Sequence, residues 1–399
     1  MSGTPSPPGR SPGACGGSRS PAAFYTPLKH PFQAEASGDR QIGRMLMDAL
    51  RAWGFEPELA SRMTTWRREF EPGAAERMER AAALIVETLI RRYRRRLPTR
   101  RPRFWMTYQN YSRSPDLLGP SVATALCIPY ILVNPAVSTA SRRTPFRPWV
   151  SAARLAVRRA DLIFAMSPRD IPALARLRGP AFADERLLLL PPAVDLAPFE
   201  APSARRAACR AELGRYFPGS DGPLCLCVAM MRRVAKLDSY QLLAAAFARL
   251  DRPWRLLVVG DGPARPQVEA ALAGLPAERV RFLGSLEPQA LPPIYLGADL
   301  LTFPGIGEEY GLVYLEAAAA GLPSVACRGP GPDFMVPPDG GLLTDPTPEA
   351  FAEGLRRLLD HSEERLRMGA AARRFVTAER SREVFRRRLG DGLARLSLA

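Results

Sequence analysis

Apolar runs alternate with polar punctuation along this chain, and the period of each run predicts an element. "AAFYTPL" reads as a short buried strand, followed by the loop "KHPFQAEASGD" and a helix over residues 40–53 that Gly54 stops. A second helical segment begins near Ala74 and ends in "RRYRRRLPTRRPR", which runs from Arg91 through Arg103. "RFWMTY" and "IPYILVN" then read as buried strands, 152–159 as a helix and "DLIFAMS" as another strand, and "RLLLLPPAVDLAPF" closes the first half. Strand, helix, strand in this rhythm means a parallel sheet with crossover helices.

The rhythm then restarts. "PLCLCVAMM", "WRLLVVGDGP", "RVRFLGSL", "DLLTFPG" and "PSVAC" read as strands. The helices between them are "SYQLLAAAFARL", "RPQVEAALAGL", "LPPIYLGA" and "GLVYLEAAAAG", and the chain is helical from "PTPEAFAEGLRRLLD" to near its end. The fold class expected is α/β, two doubly wound domains facing across a cleft, with ligands at the carboxyl ends of the strands. The expected division is a disordered leader over 1–20, a first doubly wound domain over 21–195, a second over 196–380, and a C-terminal helix over 381–399 packing back toward the first domain.

Length supports two domains, since 399 residues exceed what one core usually fills. The hydrophobic fraction of 46% and charged fraction of 24% are those of a soluble globular protein. The longest uncharged stretch, 117–141, carries three prolines and reads as a turn, a helix and a strand rather than a span. The first 21 residues are rich in Pro, Gly and Ser and lack a signal peptide's apolar centre, so the expected location is the cytoplasm. Six cysteines make no disulfide framework here, and Cys225 and Cys227 inside an apolar run read as core thiols.

Net charge is +16, carried almost wholly by arginine: of 56 basic residues only Lys29 and Lys236 are lysines. The run from Arg91 through Arg103 fits either a solvated helix end or a patch facing an anionic membrane, and its single tyrosine gives no aromatic interleaving for nucleic acid. No nucleic-acid partner is expected. A peripheral position at the inner face of the membrane is the expectation that the membrane alternative carries.

Several chemistries lack their motifs. Gly260-Asp-Gly262 has no third glycine for a dinucleotide fingerprint, there is no P-loop and no G-x-S-x-G elbow, and His30 and His361 are the only histidines. No D-x-D is present to hold a divalent cation, so no metal and no cofactor is expected, and an anionic ligand must be neutralised by protein groups. Arg232, Arg233 and Lys236 follow the strand "PLCLCVAMM" and are read as one basic loop. In "FPGIGEEYGLVYLEAAAAG" a glycine-containing loop carries Glu308, and the N–H groups of Gly311, Leu312 and Val313 open a helix that carries Glu316. Spacing alone leaves two readings: an amphipathic helix with solvated glutamates, or two carboxylates that hold the sugar and ribose hydroxyls of a nucleotide sugar.

"EEYGLVYLEAAAAGLP" and "MMRRVAKLDSYQLL", with "LPPAVDLAPF", "LLVVGDGP", "RVRFLGSL" and "ADLLTFP", resemble the retaining family 4 glycosyltransferases of the GT-B fold, built from two Rossmann-like domains. The resemblance covers about 190–374 and places Glu308 and Glu316 at the two positions of the family's E-x7-E signature. It implies transfer of a sugar from a nucleotide-diphosphate sugar to an acceptor hydroxyl, with retention and without a metal. Glu308 would contact the transferred sugar, Glu316 the ribose, and Arg232 and Lys236 the diphosphate, while Leu283 and Gly284 would border the base. The basic pair stands four residues apart instead of the usual five, which leaves Arg233 a rival to Arg232.

The first half resembles the family more loosely. Gly38 would approach the donor phosphate, and Lys29, His30, Asp39 and Arg40 would line the acceptor side; where many members carry a histidine, this chain has Asn134. A saccharide or lipid-linked acceptor is expected. Two alternatives stand beside the enzyme: a nucleotide-sugar-binding protein with weakened turnover, which Asn134 favours, and a basic membrane-associated adaptor, which would not need Glu308.

Overall fold

A computed structural model describes residues 19–33, 37–67, 69, 71, 73–137 and 147–398. The leader expected over 1–20 lies outside these residues except for Arg19 and Ser20, and Ser20 already opens the first strand. The chain divides into two compact units, Met1–Pro191 with Phe385–Ala399, and Pro192–Val384.

The first unit is a parallel sheet of β1 (Ser20–Tyr25), β2 (Phe55–Leu59), β3 (Trp105–Asn110), β4 (Tyr130–Pro135), β5 (Leu162–Ala165) and β6 (Leu187–Leu189), in the order β2-β1-β3-β4-β5-β6. Helices cover such sheets on both faces, and strands buried on both faces read as continuous apolar runs; β3, β4 and β5 are buried at every position. The helix Gly38–Ala52 buries Ile42, Met45, Leu46, Ala49 and Leu50, a stripe at helical spacing. β2 was not expected, because "FEPEL" carries a proline and two glutamates. It lies at the sheet's edge, the position that tolerates a missing N–H. The short helices Ile171–Arg178 and Pro180–Arg186 were likewise not read, each being barely two turns long.

Asp116 organises the middle of this unit. Its carboxylate is buried and accepts hydrogen bonds from Thr107 Oγ1 (2.5 Å), Tyr130 Oη (2.8 Å) and the backbone N–H groups of Leu118 (2.9 Å) and Gly119 (2.8 Å). Trp105 Nε1 donates in turn to Thr107 Oγ1 at 2.8 Å. The returning segment packs by close approach: a Cβ on Gly390 would come 2.1 Å from the Trp53 ring, whose Nε1 donates to Arg386 O at 2.8 Å.

The second unit holds β7 (Leu224–Val228), β8 (Arg255–Val259), β9 (Val280–Gly284), β10 (Leu300–Thr302), β11 (Ser324–Cys327) and β12 (Gly341–Thr344), all parallel, in the order β12-β11-β10-β7-β8-β9. β12 and the helix Pro202–Gly214 had not been read from the sequence.

Strand order decides where a ligand can enter. In an open parallel sheet the crevice opens where successive connections leave a pair of neighbouring strands in opposite directions. That point lies between β1 and β3 in the first unit and between β7 and β10 in the second.

Candidate functional site

In the second unit the chain leaves β7 through a loop that carries Arg232 and Arg233, both exposed, with Arg232 Nη2 3.3 Å from Met230 Sδ. Lys236 is not on this loop, as the sequence reading had it, but in the first turn of the helix Ala235–Phe247. The apolar period of that helix becomes visible only at Tyr240, after a mostly polar first turn. Val234 enters the helix at φ 68°, ψ −129°, a backbone state that costs a β-branched residue strain.

The neighbouring β10 delivers the partner. Glu308, on the loop after β10, forms an ion pair with Lys236, and the Lys236 ammonium lies 4.6 Å from the Phe303 ring centroid. The two side chains are 19% and 16% exposed, so the pair is sheltered. Its loop is seated on the start of the 235–247 helix: Ile306 N donates to Ser239 Oγ at 2.9 Å, and a Cβ on Gly307 would come 2.7 Å from Ala235 Cβ. Glycine at φ 67° permits that contact.

The helix Leu312–Ala319 follows from Gly311 at φ 74°, with Tyr314 N to Gly311 O (3.1 Å) opening its ladder. The N–H groups of Leu312 and Val313 precede that ladder, where a helix presents its positive end. Tyr314, Leu315 and Ala317 to Ala319 are buried and Glu316 is the helix's one charged side chain, so this is no solvated amphipathic helix. Glu316 accepts from Tyr295 Oη at 2.7 Å. Burial first, and the Glu316 charge second, hold the Tyr295 pKa well above its ordinary value, so the hydroxyl stays a donor. Leu283 and Gly284 end β9, and Gly284 O accepts from Gly260 N at 2.8 Å. The Cys225 and Cys227 thiols are fully buried and pushed up by that burial, Cys227 to about 12, as core thiols should be.

At the switch point of the first unit, Lys29 pairs with Asp39 and lies 3.3 Å from Ser37 Oγ, just ahead of Gly38 at the start of the 38–52 helix. Arg40 is buried and donates to His30 O (3.2 Å) and Gln33 Oε1 (2.6 Å). Desolvation, then the Arg62 and Arg40 charges, lower the His30 pKa, and its enclosed Nε2 has no hydrogen-bond partner. Asn134, buried at φ 55° near the end of β4, donates to Tyr111 Oη at 2.7 Å.

Four contributors escaped the sequence reading. Gln109, near the end of β3 at φ 68°, is buried, donates Nε2 to Asp39 Oδ1 at 2.8 Å and leaves Oε1 without a partner. Its one signal was a polar residue closing an apolar run. Phe303 beneath Lys236, Ser239 under the Glu308 loop and Tyr295 on Glu316 gave none, because each is a contact between distant segments.

In the basic run Arg91, Arg92, Arg95 and Arg100 are exposed, whereas Arg96 pairs with Glu58 (2.7 Å) and Arg101 folds back on Arg94 O (2.8 Å). Leu84 and Leu97 are exposed on the same stretch of chain. Among the described residues no group of three or more His, Cys, Asp or Glu side chains gathers, and no helix is long and apolar enough to cross a membrane.

Residues 222–361 match the family described as "Glycosyl transferases group 1". A D-inositol 3-phosphate glycosyltransferase of Kineococcus radiotolerans is 36% identical over 268 residues, 60% of this chain and 60% of that protein. The chain thus spans about three fifths of that relative's length. Among solved structures, sucrose-phosphate synthase from Thermosynechococcus elongatus superimposes with a TM-score of 0.73 at 21% identity, over 95% of this chain and 99% of that one. Anabaena HepE in complex with UDP and glucose gives 0.66 at 15% identity, over 93% and 99%. At these identities the two structures speak for the fold.

Proposed function

We propose that the chain, whose residues 222–361 match the group 1 glycosyltransferases, is a family 4-like member that moves a sugar from a nucleotide-diphosphate sugar to an acceptor hydroxyl. The observation that carries this is the Lys236–Glu308 pair, at the carboxyl ends of the two strands that flank the second unit's switch point. Lys236, Arg232 or Arg233, and the N–H groups that open the 312–319 helix meet the diphosphate. Glu308 takes hydroxyls of the sugar, and Glu316, held by Tyr295, takes those of the ribose. Leu283 and Gly284 border the base.

In this reading the charge that develops on the departing diphosphate is met by fixed cations and backbone dipoles, so that transfer proceeds without a divalent cation. Retention follows from the family resemblance. Lys29, His30, Asp39, Arg40 and Asn134, around the first unit's switch point, are the groups assigned to the acceptor in this reading.

Thermal unfolding with UDP-, GDP-, ADP- and TDP-sugars tests the donor site. At about 100 times Kd the right donor stabilises by about 2.7 kcal/mol, which raises Tm by about 5 °C or more for a unit of this size. The Lys236→Ala and Glu316→Ala variants lose the shift. No shift with any donor would refute the reading.

The exposed arginines at the end of the 74–94 helix, with the exposed Leu84 and Leu97, support a second part of the proposal, that the protein binds an anionic membrane surface. Sedimentation with phosphatidylglycerol vesicles at low salt measures this: Arg91→Glu with Arg95→Glu weakens binding about tenfold or more, at about 1 kcal/mol per basic residue. Unchanged binding by that double variant removes the surface from the proposal.

A further inference from the structure

Lys236 already holds an anion. Its ammonium lies against the Glu308 carboxylate on one side and the Phe303 ring on another. Exposed ion pairs of long side chains wander, but this one is sheltered and its loop is fixed by Ser239 and by the Gly307–Ala235 contact. A ligand that claims Lys236 therefore inherits Glu308 as a neighbour of like charge to its phosphates.

The consequence differs between substrate and product. An intact nucleotide sugar brings hydroxyls next to its second phosphate, and these can donate to a carboxylate that gives up part of its contact with Lys236. A free nucleoside diphosphate brings no hydroxyl there, and its terminal phosphate, titrating near about pH 6, adds further negative charge at neutral pH. The carboxylate is then left both desolvated and repelled. Discrimination by a repulsive element of this kind is a difference of two affinities, set by what the carboxylate meets in each complex.

We propose that Glu308 is a specificity-determining residue that makes the site prefer the intact nucleotide sugar over the free nucleoside diphosphate. This rests on the reading that the second unit's site takes a nucleotide sugar. Glu316 does not duplicate the role, since Tyr295 already donates to it and it stands on the helix rather than on Lys236.

Titration calorimetry at neutral pH with UDP and UDP-glucose, GDP and GDP-mannose, and ADP and ADP-glucose tests it on wild type, Glu308→Gln and Glu308→Asp. Glu308→Gln binds the free diphosphate about fivefold tighter or more, while the matching nucleotide sugar binds no tighter than before, so the preference shrinks about tenfold. Glu308→Asp keeps the charge and stays within about threefold of the wild-type preference. Wild-type binding with no tightening of the free diphosphate in a folded Glu308→Gln protein overturns this inference alone. Failure of the folded wild type to bind any of the six, or TDP or TDP-glucose titrated beside them, overturns the donor-site reading and this inference with it.

Discussion

With Lys236 replaced by alanine, sugar transfer falls about 100-fold or more, the loss seen when one fixed group that stabilises developing charge is removed. The effect is this large because of placement. Lys236 sits in the first turn of its helix, packed on Phe303 and locked to Glu308, so its charge is already aimed before the diphosphate begins to leave. Arg232 and Arg233 share that end of the sheet but are exposed, and water screens a charge held that way. Lys236→Arg restores only part of it, because arginine keeps the charge but spreads it over a longer, planar group. That group stacks on the ring and pairs flat with the carboxylate, so it no longer stands where the compact ammonium meets the diphosphate. Initial rates with a saturating donor, wild type beside both variants, measure it. Activity of the alanine variant within about threefold of wild type would remove Lys236 from the chemistry.

The preference for arginine made Lys236 conspicuous in the sequence, and the apolar runs around it located β7 and β10. What no period could show is that these two strands are neighbours. Strand order arises from long-range packing, and it alone brings Glu308 to Lys236 across the length of three strands and their helices. The helix that carries Glu316 illustrates the limit in another way. Its sequence leaves an amphipathic surface helix open, and only the burial of its alanines and Tyr314 decides against that. Short edge elements failed for a local reason: β2, with Pro57 at its centre, breaks strand propensity and survives because its register with β1 supplies the pairing. Gln109 failed for a backbone reason, since a left-handed φ in a residue other than glycine leaves no trace in composition.

Asp116→Ala destabilises the first unit by about 3–5 kcal/mol, as expected when the anchoring group of a buried polar network is removed. Four donors lose their acceptor at once: the Thr107 and Tyr130 hydroxyls and the N–H groups of Leu118 and Gly119. Asp116→Asn costs only about 1 kcal/mol, because the amide oxygen still serves the two backbone groups and the hydroxyls can rotate to accept from its nitrogen. The two variants also separate on pH. Desolvation raises the Asp116 pKa above its ordinary 3.8, outweighing the hydrogen bonds that pull it down. A carboxyl raised in the folded state contributes stability that is present below the unfolded value and is lost as pH rises through the folded one. Asparagine does not titrate, so its deficit against wild type is largest in acid and narrows as pH climbs from about 4 through that window. Urea unfolding followed by tryptophan emission reports on this unit, which holds Trp53, Trp66, Trp105 and Trp149 and leaves only Trp254 to the other. Equal stability losses for alanine and asparagine would show that neither the cavity nor the bonds an amide can keep make a difference and that the loss comes from the carboxyl group itself, whereas a gap that widens with pH would mean that Asp116 is better tolerated ionised.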